Sequence, residues 1–201
     1  MEVLQDTDFG AQLPGLFNDA RDRLEIGSFT TGSGTNEPLG YVTALGTGVG
    51  TTGTQTTGTV STSGAFAIYE TLDPRWRQSG SCAVLASLQV IDQLRQTQLF
   101  TNSTMPILQG NTLQVGNGVP VYENSASTTA TASASSVWVV GDWQQHIIVD
   151  RVGISILYEP LVTTGASVPT GQQGWFAFWR SGTTLTTTGA GYGPFRGLKV
   201  S

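Results

Sequence analysis

The chain has 201 residues, enough for one domain or two small ones around a hydrophobic core. Only 11% of them are charged against 38% hydrophobic, with 26 glycines and abundant Ser and Thr; about a quarter charged is usual. A net charge of −5 with nine scattered cations excludes a basic stripe that grips nucleic acid, the single cysteine excludes an internal disulfide, and no run approaches the ~18 apolar residues of a membrane helix.

So sparse a charge coat suits a protein packed against copies of itself, although secreted β-rich domains share this composition. Met1 to Phe9 are acidic and do not read as a signal peptide. Leu13, Leu16, Phe17, Ala20, Leu24 and Ile26 recur at three and four and predict a helix from about Leu13 to Ser28. Pro14 fits its first turn, and Asp19, Asp22 and Arg23 its outer face. Thr30 to Gly40 is a turn-rich exit. Residues 46 to 64 are low-complexity Gly and Thr, read as a long surface loop with a possible extended ribbon. No Gly-Lys-Ser/Thr follows them, so they are not a phosphate loop.

Ala65 to Leu72 predicts a short helix broken by Asp73-Pro74. Ser79 to Gln96 reads as the clearest helix, capped by Ser79 or Ser81. Its apolar face is Val84, Leu85, Leu88, Ile91 and Leu94, its polar side Asp92 and Arg95, and Cys82 lies inside it as a packing residue. From Ile107 the pattern turns to strands. Gly116 to Val121 is a turn running into an extended piece, and Ser125 to Ser136 a second low-complexity loop. Val137 to Val140, Ile147 to Val149 and Gly153 to Tyr158 read as strands, with Leu161 to Gly174 a loop, Trp175 to Trp179 an aromatic strand, and Leu198 to Ser201 closing the chain. Helices first and strands later predict an α+β fold.

Catalytic chemistry finds little purchase. His146 is the only histidine and sits between Asp142 and Asp150. No serine stands in a Gly-x-Ser-x-Gly elbow, and one His far from one Cys makes no metal site, so His146 reads as a polar residue starting a strand. Asn102-Ser103-Thr104 fits a glycosylation sequon, a motif short enough to arise by chance. Asp150-Arg151 lies between two apolar strand segments, where a charge needs a partner. It is either a solvent-facing strand edge or an inter-strand or intersubunit salt bridge. Trp175, Phe176, Phe178 and Trp179 put large apolar groups on both faces of one strand. That favours a core strand, or a patch buried by a neighbouring subunit, over a stacking platform for sugars or bases.

Four stretches, in this order, resemble the major capsid protein of tailed double-stranded DNA bacteriophages, with the Hong Kong 97-type fold, and most closely those of actinobacteriophages. They are Leu16 to Gly40, like the end of a spine helix and its glycine-rich turn; Tyr69 to Arg95, with its Leu-Asp-Pro-Arg; Gly141 to Tyr158, with the Asp-Arg; and Gly174 to Lys199, ending Phe-Arg-Gly-Leu-Lys. Gly189 to Pro194 departs from the alanine more usual before that phenylalanine. By the resemblance, the family's N-terminal arm, extended loop and start of the spine helix would fall ahead of Met1, and the chain resembles the C-terminal two-thirds.

The resemblance implies a discontinuous peripheral subdomain, residues 1–45 and 137–201, and an axial subdomain, residues 46–136. It implies copies of this chain joined as pentamers and hexamers of an icosahedral shell, assembled in the host bacterial cytoplasm and enclosing DNA without gripping it. Scaffold, portal or decoration proteins are possible partners, and neither a membrane, a cofactor nor enzymatic activity is implied. Asp150, Arg151, Arg75, Arg77, Trp175, Trp179 and Arg196 are the candidates for intersubunit or structural contacts. Some relatives cross-link a loop lysine to an asparagine. Lys199 is the only lysine here, so a shell held by non-covalent contacts is expected. An encapsulin-type nanocompartment shell shares the fold and is the first alternative. A Thr/Gly-rich phage tail or adhesin domain is the second, and the helix at 79 to 96 argues against it.

Overall fold

A computed structural model describes residues 9–46, 60–98, 104–113, 118–128, 136–165, 168–186 and 193–199. The loops expected at 46–64 and 125–136, the sequon at Asn102 and Gly189 to Tyr192 lie wholly or largely outside them.

Helix α1, Phe9–Thr31, is longer than its apolar pattern and carries Pro14 inside. It stops where Thr30 and Thr31 turn their hydroxyls onto the carbonyls of Ile26 and Gly27. The turn that follows is closed by a Ser33–Leu39 bridge and by the Glu37 carboxylate accepting the Ser33 N–H at 2.7 Å. Gly34 and Asn36 supply its left-handed backbone, at φ 80° and 61°. α2, Tyr41–Gly46, comes next. In α3, Thr62–Glu70, the Ser61 hydroxyl accepts the Gly64 N–H and caps the helix. In α4, Pro74–Arg77, Asp73 caps and Pro74 fills the first position, where no N–H is needed.

The long helix expected over 79–96 is instead a strand followed by a helix. β1, Cys82–Ala86, is hydrogen-bonded on both edges, and α5 spans Leu88–Gln96 with Ser87 in extended conformation at its start. Leu88, expected in the core, is 48% exposed, whereas Val90, Ile91 and Leu94 are buried. Cys82 is buried as expected, in a strand and not a helix, and burial pushes its thiol up to about 11.

β2 (Leu108–Gln109), β3 (Thr112–Leu113), β4 (Val119–Glu123), β5 (Ser136–Asp142) and β8 (Phe195–Lys199) complete a six-stranded sheet ordered β2-β3-β4-β1-β5-β8. β1 runs parallel to β4, with Val84 opposite Val121, and antiparallel to β5, with Val84 opposite Val140. β5 is antiparallel to β8, with Val140 opposite Arg196. Gly141 lets that last pair close: a Cβ there would lie 2.6 Å from the Pro194 carbonyl oxygen and inside the Phe195 ring. α2, α3 and α5 lie against this sheet, α5 over β2 and β4, α2 and α3 over β5 and β8. The main core joins Ile68 and Leu72 of the α3 region to Val84, Val90, Leu94, Trp138 and Leu198. A smaller cluster gathers Tyr41, Leu45, Val139, Leu185 and Phe195.

A one-turn 3₁₀ helix, Trp143–Gln145, leads from β5 into β6, His146–Glu159. β6 and β7, Gly174–Leu185, form a separate two-stranded sheet. β6 is one strand of 14 residues, not two flanking a charged break. Asp150 and Arg151 sit mid-strand at no desolvation cost because neither is buried.

Two compact units result. One holds α1 as far as Leu24 with Ile148–Gly182; the other holds Glu25–Ile147 with Thr183–Ser201. β1, β4, β5 and β8 all fall in the second unit.

Candidate assembly surfaces

Side chains alternate across a strand, so β6 and β7 make a ribbon with two faces. Ring contact between Tyr158 and Trp175, centroids 4.6 Å apart, fixes which residues share a face. The first face carries Ile148, Asp150, Val152, Ile154, Ile156 and Tyr158 with Trp175, Ala177 and Trp179. Helix α1 meets it through Arg21, whose guanidinium donates to the Asp150 carboxylate at 3.0 Å. Asp150 is half exposed, so this pair is worth about 1 kcal/mol or less.

The second face carries Val149, Arg151, Leu157, Phe176, Phe178 and Arg180. Its four apolar members are 57%, 55%, 52% and 57% exposed, for Val149, Leu157, Phe176 and Phe178. Isolated two-stranded ribbons are marginal in water, and contiguous open apolar surface marks an interface. Covering the exposed half of each side chain is worth roughly 1 kcal/mol apiece.

Asp150 and Arg151, adjacent in sequence, therefore point to opposite faces and do not pair. Among the described residues Arg151 makes no ion pair. Trp175 and Trp179 are not core residues of this chain: Trp175 is exposed on the ribbon and Trp179 half-buried. Arg75 and Arg77 lie on α4 and stack on rings, Arg75 at 4.7 Å from Trp76 and Arg77 at 5.6 Å from Tyr69. Arg196 is buried in β8 and donates to the carbonyls of Gly193 and Phe195 at 2.9 and 2.7 Å. Burial draws its pKa down, and the Asp73 charge opposes this. Both hydrogen bonds are local, within the segment that leads into β8, and the strand itself is paired to β5 through its backbone.

A second surface feature went unseen in the sequence. A groove of about 360 Å³ opens among Phe29, Tyr41, Leu85, Glu123, Trp143 and His146. The rings of Tyr41, Trp143 and His146 stand edge-to-face, 5.3 to 6.2 Å apart. The Asn124 amide donates to Thr30 Oγ1 and to the Tyr41 hydroxyl, both at 2.9 Å, and that hydroxyl also bonds Ser127. These residues come from six separate elements and the loop after β4, and no local motif joins them.

His146 begins β6 as a polar residue, with Nε2 hydrogen-bonded to the Thr183 hydroxyl at 2.5 Å. Burial lowers its pKa, so the ring is neutral near pH 7. The Cys82 thiol, raised to about 11, stays protonated near pH 7. Among the described residues no group of three His, Cys, Asp or Glu could hold a metal, and no helix is long and apolar enough to cross a membrane.

Residues 1–190 match the Phage capsid family. No curated protein matches the chain. Among solved structures, the capsid of an empty GTA particle computed with C5 symmetry superposes with a TM-score of 0.78 at 17% identity, over 100% of this chain and 70% of that one. The capsid of a native GTA particle, also computed with C5 symmetry, gives 0.73 at 16% identity, over 100% and 69%. At such identities the likeness establishes the fold.

Proposed function

The chain belongs to the phage capsid family and is a structural major capsid protein of Hong Kong 97-type fold that builds an icosahedral shell; we propose that its copies join as pentamers and hexamers and tile a tailed-phage head around double-stranded DNA. The family match across residues 1–190 carries this reading. The open ribbon supports it, because four half-exposed apolar side chains on one face are what a subunit awaiting neighbours presents. Residues 1–45 with 137–201 would act as the peripheral subdomain and 46–136 as the axial one, sharing one sheet through β1 and β5.

The shell would enclose DNA without holding it tightly. Three of the described arginines are already paired with carboxylates, two stack on rings and Arg196 is buried. A chain of net charge −5 has few cations to spend on phosphates. Catalysis plays no part in this reading. Cohesion would come from many modest, symmetry-closed contacts, without cross-links through Lys199. Assembly would take place in the host cytoplasm, with scaffold, portal or decoration proteins able to join.

Electron microscopy of the expressed protein tests the reading. Closed shells or capsomers are the expected result. A protein that stays monomeric across pH, salt and concentration overturns it.

A further inference from the structure

Charge in the groove and charge on the ribbon are each left uncompensated. Glu123 is the groove's only charged lining residue, and its carboxylate has no hydrogen bond or ion pair among the described residues. The groove's other polar side chains largely satisfy each other: Asn124 donates to Thr30 and Tyr41, and Thr30 donates to the Ile26 carbonyl. The remaining wall is apolar or aromatic, from Phe29, Leu85 and Trp143. Such a groove fits a side chain with an apolar stem, a flat cationic head that stacks on rings, and donors for a carboxylate. That is an arginine.

The chain itself supplies candidates. Arg21, Arg23 and Arg95 are engaged by Asp150, Asp19 and Asp92. Arg75 and Arg77 lie over their own rings, Arg196 is buried, and Lys199 has a partner. Arg151 and Arg180 remain, both exposed and both without an ion pair or ring contact among the described residues. Both project from the ribbon's second face, which also carries the exposed apolar side chains of Val149, Leu157, Phe176 and Phe178.

We infer that the Arg151 and Arg180 face of the ribbon of one copy docks on the Glu123 groove of a second copy. This rests on the capsid reading and names one of its contacts. The contact is heterologous, ribbon to groove, so it propagates round a ring instead of ending at a dimer. Complementary charge also fixes its register, since a like-charged alternative costs several kcal/mol.

Charge exchange tests the contact. Glu123→Arg, the double variant Arg151→Glu with Arg180→Glu, and the three changes combined are compared with the unaltered chain by sedimentation velocity. Thermal melting of each checks the fold, and all three positions are exposed. Each one-sided reversal should reduce the assembled fraction at least about tenfold with melting unchanged, and the combined variant should recover most of it. One-sided reversals that assemble like the unaltered chain, or a combined variant no better than its parents, overturn the docking and leave the capsid reading standing. Failure of the unaltered chain to assemble overturns both.

Discussion

β5 and β6 are separated by three residues and meet opposite fates. All seven residues of β5 are buried, and none of the fourteen of β6 is. Their chemistry is not so different: Val137 to Val140 on one side, Ile147 to Val149 and Ile154 to Tyr158 on the other. β5 is bonded on both edges, by β1 and β8, and has α2 and α3 against it. β6 has β7 alone as a sheet partner. An apolar strand records that something covers it, without recording whether the cover belongs to the same chain. The sheet around β5 is stabilised within the subunit; in the proposed shell the ribbon would be finished by assembly.

Ordered by their effect on the stability of the separate subunit, substitutions sharpen this contrast. The largest loss belongs to Trp138, fully buried in β5 against the main core. Trp138→Ala should cost about 3–5 kcal/mol and lower the melting temperature accordingly. A variant that melts within a degree of the parent would break the assignment of β5 to the core.

Next comes His146, at the junction of the two strands. Burial disfavours its charged form, so its folded pKa lies below the ordinary ~6.5 of the unfolded chain. The unfolded state then binds the proton first. Stability should be fully present above about pH 6.5 and fall as pH drops towards the depressed folded value. Denaturant midpoints at pH 7.5 and 5.5 measure this. His146→Gln, which keeps a polar group beside Thr183, should flatten the difference. Glu37, whose pKa the Ser33 N–H lowers, also loses stability on acidification, but only nearer the ordinary carboxylate range of ~4.3.

Leu88 marks where sequence reading parted from structure. Leu→Ala at a buried helix position would cost about 2–5 kcal/mol. Here Leu88 begins α5 and is 48% exposed, so Leu88→Ala should cost about 1 kcal/mol or less, and Leu94→Ala several times more. Equal losses at the two positions would restore the single long helix. The misreading has a physical cause. A central strand covered on both sides reads as an unbroken apolar run, and Cys82 to Ala86 also satisfies a helical spacing by chance. Where one period dominated, sequence reading held: α1, α3, the breaker at Asp73-Pro74, and β5 follow from local pattern. The α+β class and the family were legible because four separated stretches kept their order. The groove was not, because Phe29, Tyr41, Glu123 and Trp143 meet only after the sheet has formed. Exposure of the ribbon was equally hidden, since Phe176 and Phe178 look the same whether their cover is inside the chain or on another copy.

Phe178 should give the smallest stability change and the clearest division between the two regions. Its ring is 57% exposed on the ribbon's second face, so a polar replacement removes little that the subunit uses. Phe178→Ser should alter unfolding free energy by no more than about 0.5 kcal/mol, the range for surface positions away from special features. If neighbouring copies cover this face, the same change removes a large apolar anchor from the interface. Truncation of such an anchor commonly costs 2 kcal/mol or more, which is roughly thirtyfold in association. Melting and particle yield, measured on one preparation, should therefore disagree: an unchanged subunit that assembles poorly. A matched loss in both would make β6 and β7 part of the subunit's own stability, and the contrast with β5 would fail. An unchanged yield would mean that the face stays open in the finished shell. The order of effects at Trp138 and Phe178, opposite for folding and for assembly, separates a strand whose cover is internal from one whose cover is another copy.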